Sequence, residues 1–296
     1  MTQIASPPVR SSHIAEELDE LRKRGPLRQI VIPPCPALLR RLQQVMAQPD
    51  PDLKEIDQIA SSDVAMAATL LRNANSPLHA VGQPVHTVGQ AMNRLGLQET
   101  AAVLTGFMAR HTIPVNHPHL RGFWAESAQR AAAMQFLAAQ LPGMAPELAH
   151  LYGLFCHVGI PVLMQSVRGY SGTLVEARAR LDRPFVMTEN ANHRTDHAVV
   201  GALVARAWHL PPGVMAAIRL HHDLGDLGQS AAGADPEVQS LIAASLLAEF
   251  LIRRRDGLDP ESDWARHGES ALSWLQVSSD DLSDWTPQLN AVLDAV

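Results

Sequence analysis

Residues 59–76, which read IASSDVAMAATLLRNANS, contain the start and the end signals of one α-helix. Ser62 or Asp63 can cap the N-terminus through a side-chain oxygen, and the apolar run that follows lacks proline and glycine. The asparagines at the other end tolerate left-handed geometry, and the proline after them cannot continue a helix. We therefore predict a helix over residues 64–74, with Asn75 hydrogen-bonded to the backbone of the following loop.

Similar signals recur along the chain and predict an all-α protein. Apolar residues follow helical spacing, aromatic residues are only 4% of the chain, and no long alternation of β-branched residues occurs. Gly96 stands where a left-handed residue ends a helix. The predicted helices are 13–24, 38–46, 52–60, 64–74, 88–95, 98–110, 123–141, 145–157, 172–181, 196–209, 213–222 and 235–255, followed by two short helices in the tail.

The 296 residues suffice for one large domain or two smaller ones. Residues 1–26 carry a charged helix, which is predicted to be a solvated leader rather than a docked helix. A proline-marked break over 111–119 divides an N-terminal lobe of about five helices, 27–113, from a second helical lobe, 118–255. Residues 256–296 are predicted to form terminal helices that pack on the second lobe.

Three tryptophans lie in this tail, at Trp264, Trp274 and Trp285. We predict that they are buried anchors, and the alternative is an aromatic surface for a partner. The tail helices are too short to be stable alone, so their apolar residues must pack against the rest of the chain or against another protein.

Composition narrows the classes of function. The net charge of −6 gives no general attraction to nucleic acid or to anionic membranes, and no uninterrupted run of about 18 apolar residues predicts a membrane span. The N-terminus lacks the apolar core of a secretory signal. Cys35 and Cys156 are far apart and predict free thiols in a reducing compartment. These features predict a cytoplasmic protein.

Five stretches, taken in order and spacing, resemble the HDOD domain, a degenerate relative of the HD phosphohydrolases and the HD-GYP domains. They are residues 32–36, 59–76, 88–96, 123–124 and 196–222. The resemblance covers roughly residues 27–290, which together would form one HDOD domain. It implies two helical lobes, the second being a degenerate HD-like bundle, and it implies a link to bacterial signal transduction.

The resemblance also implies where a metal site would lie, because HD enzymes bind metal through a histidine, a His-Asp pair and a distant aspartate. The first position is occupied here by Glu126 or Ser127. The pair reads His157-Val158, and valine has no lone pair for a metal. The distant aspartate aligns near Ser245. We therefore expect a degenerate site without a metal or another cofactor.

The candidate metal ligands that remain in the sequence are four histidines: His157, His197, His221 and His222. Several imidazoles could still bind zinc or nickel. The interpretation favoured by sequence is that they form hydrogen bonds in the core, and that the adjacent pair stabilises the C-terminal end of a helix.

The function predicted from the sequence is that of a non-catalytic regulatory or scaffold protein with protein partners that the sequence does not identify. No Gly-Tyr-Pro motif follows His222, so hydrolysis of cyclic-di-GMP is disfavoured. One alternative is a metal-dependent phosphohydrolase that uses Glu126 and the four surviving histidines. Another is a sensor of nucleotides or nucleic acid, which clustering of Arg72, Arg94 and Arg110 would favour.

Overall fold

The computed structural model describes residues 11–23, 25–180, 182–225, 227 and 235–296. Within these ranges the protein is all-α and contains no β-strand. The helices in chain order are α1 Ser11–Lys23, α2 Ala37–Met46, α3 Leu53–Ser61, α4 Val64–Ala74, α5 Val88–Thr112, α6 Phe123–Gln140, α7 Pro146–Phe155, α8 Gly159–Ser166, α9 Tyr170–Ala179, α10 Phe185–His193, α11 His197–Ala207, α12 Pro212–Leu220, α13 Pro236–Arg255, α14 Ser262–Leu275 and α15 Ser279–Leu293.

The chain forms two compact units, and each draws on two separate parts of the sequence. The first unit comprises Met1–Ile32 and Phe155–Ser279, and therefore contains α1 and α8 to α14. The second comprises Pro33–Leu154 and Asp280–Val296, with α2 to α7 and α15. These boundaries differ from the predicted segments 27–113, 118–255 and 256–296, because α6, α7 and α15 group with α2 to α5.

Side-chain caps begin several helices of the second unit where the sequence predicts them. The Asp63 carboxylate accepts hydrogen bonds from the backbone N–H groups of Ala65 and Met66, so α4 begins and ends as predicted. Asn75 donates to the carbonyl of Val85 and accepts from its N–H, both at 2.9 Å, which confirms its role in the loop.

Gly96 divides α5 into two helical arms, at the place where the sequence predicts a break between helices. Its φ of 77° is positive, but its ψ of 173° is extended, so the predicted left-handed cap is wrong and the residue forms a kink. Glycine adopts this conformation without the steric cost that a Cβ would add. The predicted helices 88–95 and 98–110 therefore become the two arms of one kinked helix.

Helices α8 and α11 of the first unit approach each other at Gly159. A Cβ built on this glycine would lie 2.0 Å from the carbonyl oxygen of His197 and 2.8 Å from the backbone nitrogen of Gly201. Only a residue without a side chain permits this approach. It places the turn before α8, which carries His157, next to the first residue of α11.

Helix α1 is docked on the first unit, so the prediction of a solvated leader is wrong for residues 11–23. Ile14 and Leu18 are fully buried, and the helix packs against α11 and α12. Its outer edge forms ion pairs, in which Glu17 accepts from Arg219 at 2.6 Å and Asp19 from Arg206 at 2.5 Å.

The tail is divided between the two units. Helix α14 packs on α13, where Trp264 stacks on Phe250 with ring centroids 4.1 Å apart, and the indole N–H of Trp274 donates to Ser240. Helix α15, which carries Trp285, belongs to the second unit. Trp264 and Trp274 thus contact α13, but all three tail tryptophans are partly exposed and less buried than predicted, whereas Trp208 is completely buried.

One stretch among the described residues, Pro146–Ser166, is long and apolar enough to cross a membrane by length and composition, with a mean hydropathy of 1.3. It is not an uninterrupted apolar run of the kind that the sequence lacks, because polar residues such as Glu147 and His157 occur within it. It is weak evidence for a span, because 72% of the stretch is buried inside the protein and buried core helices have the same composition. A turn at 156–158 also interrupts the helix.

Candidate functional site

Four histidines of the first unit converge: His157, His197, His221 and His222 each offer a ring nitrogen, and these nitrogens lie within 4.8 Å of one another. His157 lies in the turn before α8, His197 begins α11, and the adjacent pair follows α12. The Nε2 atom of His197 is 3.2 Å from that of His221 and 3.3 Å from that of His222. The structure therefore brings together the four histidines that the sequence singled out.

Each of three rings is oriented by an acceptor at its other nitrogen, Nδ1. The Nδ1 of His197 lies 2.7 Å from Glu189 Oε2, and that of His222 lies 2.8 Å from Asp263 Oδ2. The Nδ1 of His221 lies 2.7 Å from the carbonyl oxygen of Ile218. A carbonyl and an ionised carboxylate only accept hydrogen bonds, so this network assigns the ring proton to Nδ1 in all three.

The consequence is that, in the neutral rings, the Nε2 lone pairs face one another. Two unprotonated nitrogens at 3.2–3.3 Å repel, and no hydrogen bond can join them without an additional proton. A cation between them removes this conflict. Histidines that ligate metals commonly donate their other N–H to a carboxylate or a carbonyl, which is the pattern found here.

Glu189 is a fully buried carboxylate that holds His197 from two sides. Its Oε2 accepts from the ring and from the backbone N–H of His197, and its Oε1 accepts from the Tyr170 hydroxyl. Burial raises the pKa of Tyr170 well above its usual value, and the negative charge of Glu189 raises it further. The phenol therefore keeps its proton and remains a donor to Glu189.

His222 and Asp263 stabilise each other's charged forms. Burial lowers the pKa of His222, but the hydrogen bond and the charge of Asp263 outweigh this effect and raise the pKa overall. Burial likewise opposes ionisation of Asp263, yet its hydrogen bond with His222 lowers the pKa of the carboxyl overall. Asp263 is thus an ionised acceptor that favours a cation in the histidine cluster.

The altered HD positions have different surroundings. Val158 is fully buried beside His157 and contributes only methyl groups. Ser245 is buried on α13 and lines a small cavity with His221 and His222. Glu126 and Ser127 lie on α6 of the second unit, where Glu126 is exposed and Ser127 is buried. Among the described residues, the group that could hold a metal consists of the histidines alone.

Sequence reasoning missed three carboxylates around the cluster. Glu189 lies on α10, a helix that was not predicted, and Asp263 lies 41 residues after His222, within a stretch considered only polar. Glu249 on α13 lies 3.7 Å from His157 Nε2, although the distant carboxylate was sought near Ser245. No motif or short spacing links these acids to their histidines, so only the fold reveals them.

Little space adjoins the cluster within the described residues. The cavity lined by His221, His222, Ser245, Glu249 and Asp263 has a volume of about 20 Å3, which accommodates about one water molecule. His197 and His221 are buried, and the other two rings are mostly covered. This cavity can hold an ion or a water molecule but is too small for a substrate.

Comparison with known proteins identifies the family. The HDOD domain model matches residues 32–224, and the chain therefore belongs to the HDOD domain family. This match is shorter than the 27–290 expected from the sequence motifs. A protein of Treponema pallidum (strain Nichols) with no assigned function is 27% identical over 251 residues, which cover 84% of this chain and 47% of that protein. The chain thus spans about half the length of the curated relative it matches.

Solved structures share the fold at low sequence identity. A protein of Marinobacter aquaeolei VT8, provisionally named a signal transduction protein, has a TM-score of 0.72 at 18% identity over 99% of this chain and 66% of its own. A protein of Shewanella amazonensis SB2B, provisionally named a metal-dependent phosphohydrolase, has a TM-score of 0.67 at 20% identity; the match covers 96% of this chain and 99% of that one. An HDOD protein of unknown function from Geobacter sulfurreducens has a TM-score of 0.66 at 19% identity over 96% and 97%.

Proposed function

We propose that this protein is a non-catalytic regulator in bacterial signal transduction, which acts through protein contacts and holds a transition metal in its histidine cluster as a structural element. Membership of the HDOD family and the provisional name of the Marinobacter structure support the signalling role. The single observation that carries the proposal is the closed cluster of four imidazoles next to a cavity of about 20 Å3.

The ligand set favours a structural metal over a hydrolytic centre. Structural zinc sites are four-coordinate and closed, whereas catalytic sites keep one position open for water or substrate. Here all four donors are histidines, and Val158 stands where a carboxylate of the HD pair would be. Neutral nitrogen ligands favour zinc, nickel or copper over magnesium or calcium, which prefer oxygen.

This part of the proposal departs from the expectation of an empty site, which rested on the altered ligand positions. The sequence could not place the four histidines relative to one another, and each had an ordinary explanation in a helical core. In the structure, the Nε2 atoms of three histidines lie close together, and an acceptor binds each of their Nδ1 atoms. This arrangement favours a bound cation, and it outweighs the separate explanations for each histidine.

One observation favours phosphohydrolase chemistry as a second candidate. Glu249 lies 3.7 Å from His157 and lines the small cavity, so its carboxylate could supplement the histidines and replace the missing acid of the HD pair. The provisional name of the Shewanella structure points the same way for that protein. The closed surroundings of the cluster weigh against this alternative.

Metal content and hydrolysis separate the two candidates. Chelator-treated protein titrated with zinc should bind one equivalent, and His197→Ala should abolish binding while the exposed His13→Ala leaves it unchanged. The zinc- or manganese-loaded protein should hydrolyse bis(p-nitrophenyl) phosphate no faster than His197→Ala. Failure to bind any transition metal would contradict the structural role, and turnover lost in both His197→Ala and Glu249→Gln would establish the hydrolase.

The regulatory role requires a partner, which affinity purification from the native host can detect. We expect the full chain to retain one protein in stoichiometric amount, and the purified pair to reassemble during gel filtration. An unrelated helical protein of similar charge serves as the control bait. A chain that retains nothing beyond this control would contradict the proposed mode of action.

A further inference from the structure

The second unit contains a larger cavity than the one beside the histidine cluster. It has a volume of about 460 Å3 and is bordered by α4, α5, α6, α7 and the C-terminal end of α15. Pockets for small molecules typically have volumes of about 300–1,000 Å3, so this cavity is large enough for a mononucleotide-sized compound.

The charge of this cavity is opposite to that of the whole chain. The chain carries a net charge of −6, yet Arg72, Arg110 and His111 border the cavity and no aspartate or glutamate occurs among its described lining residues. Among the described residues, neither arginine forms an ion pair; Arg72 donates only to the Thr69 hydroxyl, at 2.9 Å. The remaining guanidinium donors are available to an anion at the rim.

The walls of the cavity provide flat aromatic surfaces. Phe107 and His111 lie one turn apart on α5, with ring centroids 4.1 Å apart and ring planes tilted by 30°, and Trp124 lines the cavity from α6. Aromatic rings bind planar ligands through stacking, largely regardless of the ring's substituents. Aromatic rings from two helices are therefore available to contact a ligand with a planar ring.

Polar groups at the cavity wall are fixed by one another. The Oε1 of Gln135, on α6, is 3.2 Å from His150 Nδ1, and its Nε2 is 3.3 Å from His79 Nε2. Gln135 is buried and, like His150, lines the cavity. The same Nδ1 of His150 lies 3.5 Å from the buried carboxylate of Glu99, which does not line the cavity. A wall that combines apolar side chains with oriented polar ones is typical of small-molecule sites.

From these features we propose that the cavity of the second unit binds a small molecule with a planar ring and a phosphate group, of the mononucleotide class. Arg72 and Arg110 bind the phosphate, and Trp124 contacts the ring. This site is separate from the histidine cluster and does not depend on the metal proposed there.

The arginines that the sequence singled out do not all contribute to this site. Arg72 and Arg110 border the same cavity, whereas Arg94 does not. The guanidinium of Arg94 donates to the carbonyl oxygens of Ala74 and Gln83 and to the Asn75 side chain, so it stabilises the loop between α4 and α5. A mixed pocket with two rim cations favours a compact ligand over an extended nucleic acid, which needs a stripe of basic residues.

Calorimetric titration of the full chain tests the proposal with adenosine and guanosine monophosphates, their nucleosides and inorganic phosphate. We expect saturable binding of a monophosphate at least tenfold tighter than of its nucleoside or of phosphate alone. Arg72→Gln and Arg110→Gln should each weaken binding about tenfold, the loss expected for one hydrogen-bonded charge. Arg40→Gln, which removes the same charge from an exposed position on α2, should leave binding unchanged.

A second variant tests the cavity itself. Ala132 lines it and is partly exposed, so Ala132→Phe should fill the space for the ring and abolish binding while the melting temperature stays close to that of the wild type. The proposal is overturned if no monophosphate binds at millimolar concentration, if phosphate alone binds as tightly, or if Arg40→Gln weakens binding as much as Arg72→Gln. Tight nucleotide binding by a folded Ala132→Phe variant would also overturn it.

Discussion

The histidine cluster of the first unit and the cavity of the second represent two ways to arrange polar side chains inside a helical protein. In the cluster, the acceptors Glu189, Asp263 and Ile218 C=O bind the histidines at 2.7–2.8 Å, and the adjoining space is about 20 Å3. In the second unit, Arg72 and Arg110 border a cavity of about 460 Å3, and neither forms an ion pair with a carboxylate in the part of the chain that the structure describes. The first arrangement suits a single ion, and the second leaves room for a molecule.

The backbone is packed more tightly around Gly159, near the histidine cluster, than around Gly106, which lines the cavity. A Cβ on Gly159 would collide with backbone atoms of α11, which cannot move without separating two helices. A Cβ on Gly106, which lines the cavity, would lie 2.6 Å from the end of the Leu154 side chain. A side chain next to open space can rotate away, so the position of Gly106 should tolerate an added methyl that Gly159 cannot. The contrast belongs to these two positions and not to the whole units, because a Cβ on Gly153 of the second unit would lie 2.9 Å from backbone atoms of α6.

Gly159→Ala should therefore cause the largest loss of stability. We expect a cost of more than about 4 kcal/mol, because the added methyl forces α8 away from α11 and separates His157 from His197. Gly106→Ala should change the free energy of unfolding by less than about 1 kcal/mol, since the higher helix propensity of alanine offsets a small shift of Leu154. Chemical denaturation of both variants measures the contrast.

Gly172→Ala supplies the matched control within the first unit. No atom lies within 4 Å of a Cβ built at this helical glycine, so the substitution should stabilise the protein slightly. Equal destabilisation by Gly159→Ala and Gly106→Ala would show that the tight approach of α8 and α11 does not distinguish the two regions.

Trp208→Ala should have the next largest effect. Trp208 is fully buried and meets Phe155 edge to face, at 5.9 Å between ring centroids, so its removal should cost about 3–5 kcal/mol. Trp285 is only partly buried, and Trp285→Ala should cost less than about 2 kcal/mol. Comparable losses in urea denaturation would mean that the tail tryptophan is an anchor after all.

Most of the helical fold could be predicted from the sequence because its signals are local. Asp63, one of the two residues expected to cap it, begins α4, and this helix has the predicted bounds. Helices α8 and α10 were not predicted. Most residues of α8 are buried, so its sequence lacks the alternation of polar and apolar faces that identifies an amphipathic helix. Helix α10 is short and polar, so it has no apolar stripe. The turn before α8 carries His157, and α10 carries Glu189, which orients His197.

The histidines of the site could likewise be predicted from the sequence, whereas the carboxylates that contact them could not. The family motifs sufficed to nominate His157 and His197 among the 14 histidines of the chain. Nothing in the sequence distinguishes Glu189 and Asp263 from carboxylates on the protein surface. Only the folded chain brings them to the Nδ1 atoms of His197 and His222. A carboxylate contributes no sequence signal of its burial, so the electrostatics of the cluster could not be predicted.

Val158→Asp tests whether the cluster retains the geometry of an HD metal site. A buried aspartate without a counter-charge should cost about 3 kcal/mol, because it leaves an uncompensated charge in the core. If His157 still presents a ligand, added manganese should recover part of this loss in a thermal melt. Val162→Asp, a fully comparable burial on α8, should lose stability without any recovery. Equal behaviour of both variants would exclude HD-like geometry at Val158.

Glu189→Gln should have the smallest effect on folding and should act mainly on metal affinity. The amide keeps the size of the carboxylate but removes the charge that orients His197 and accepts its Nδ1 proton. Loss of such a partner typically weakens metal binding 10- to 100-fold, or about 1.4–2.8 kcal/mol. Glu176→Gln removes an equal charge from an ion pair with Arg180 outside the cluster, and should leave zinc affinity unchanged. Competition with a chromophoric chelator measures both affinities. If Glu189→Gln binds zinc as tightly as Glu176→Gln, the carboxylate does not tune the cluster, and the buried Tyr170–Glu189–His197 chain serves the packing of α9, α10 and α11 instead.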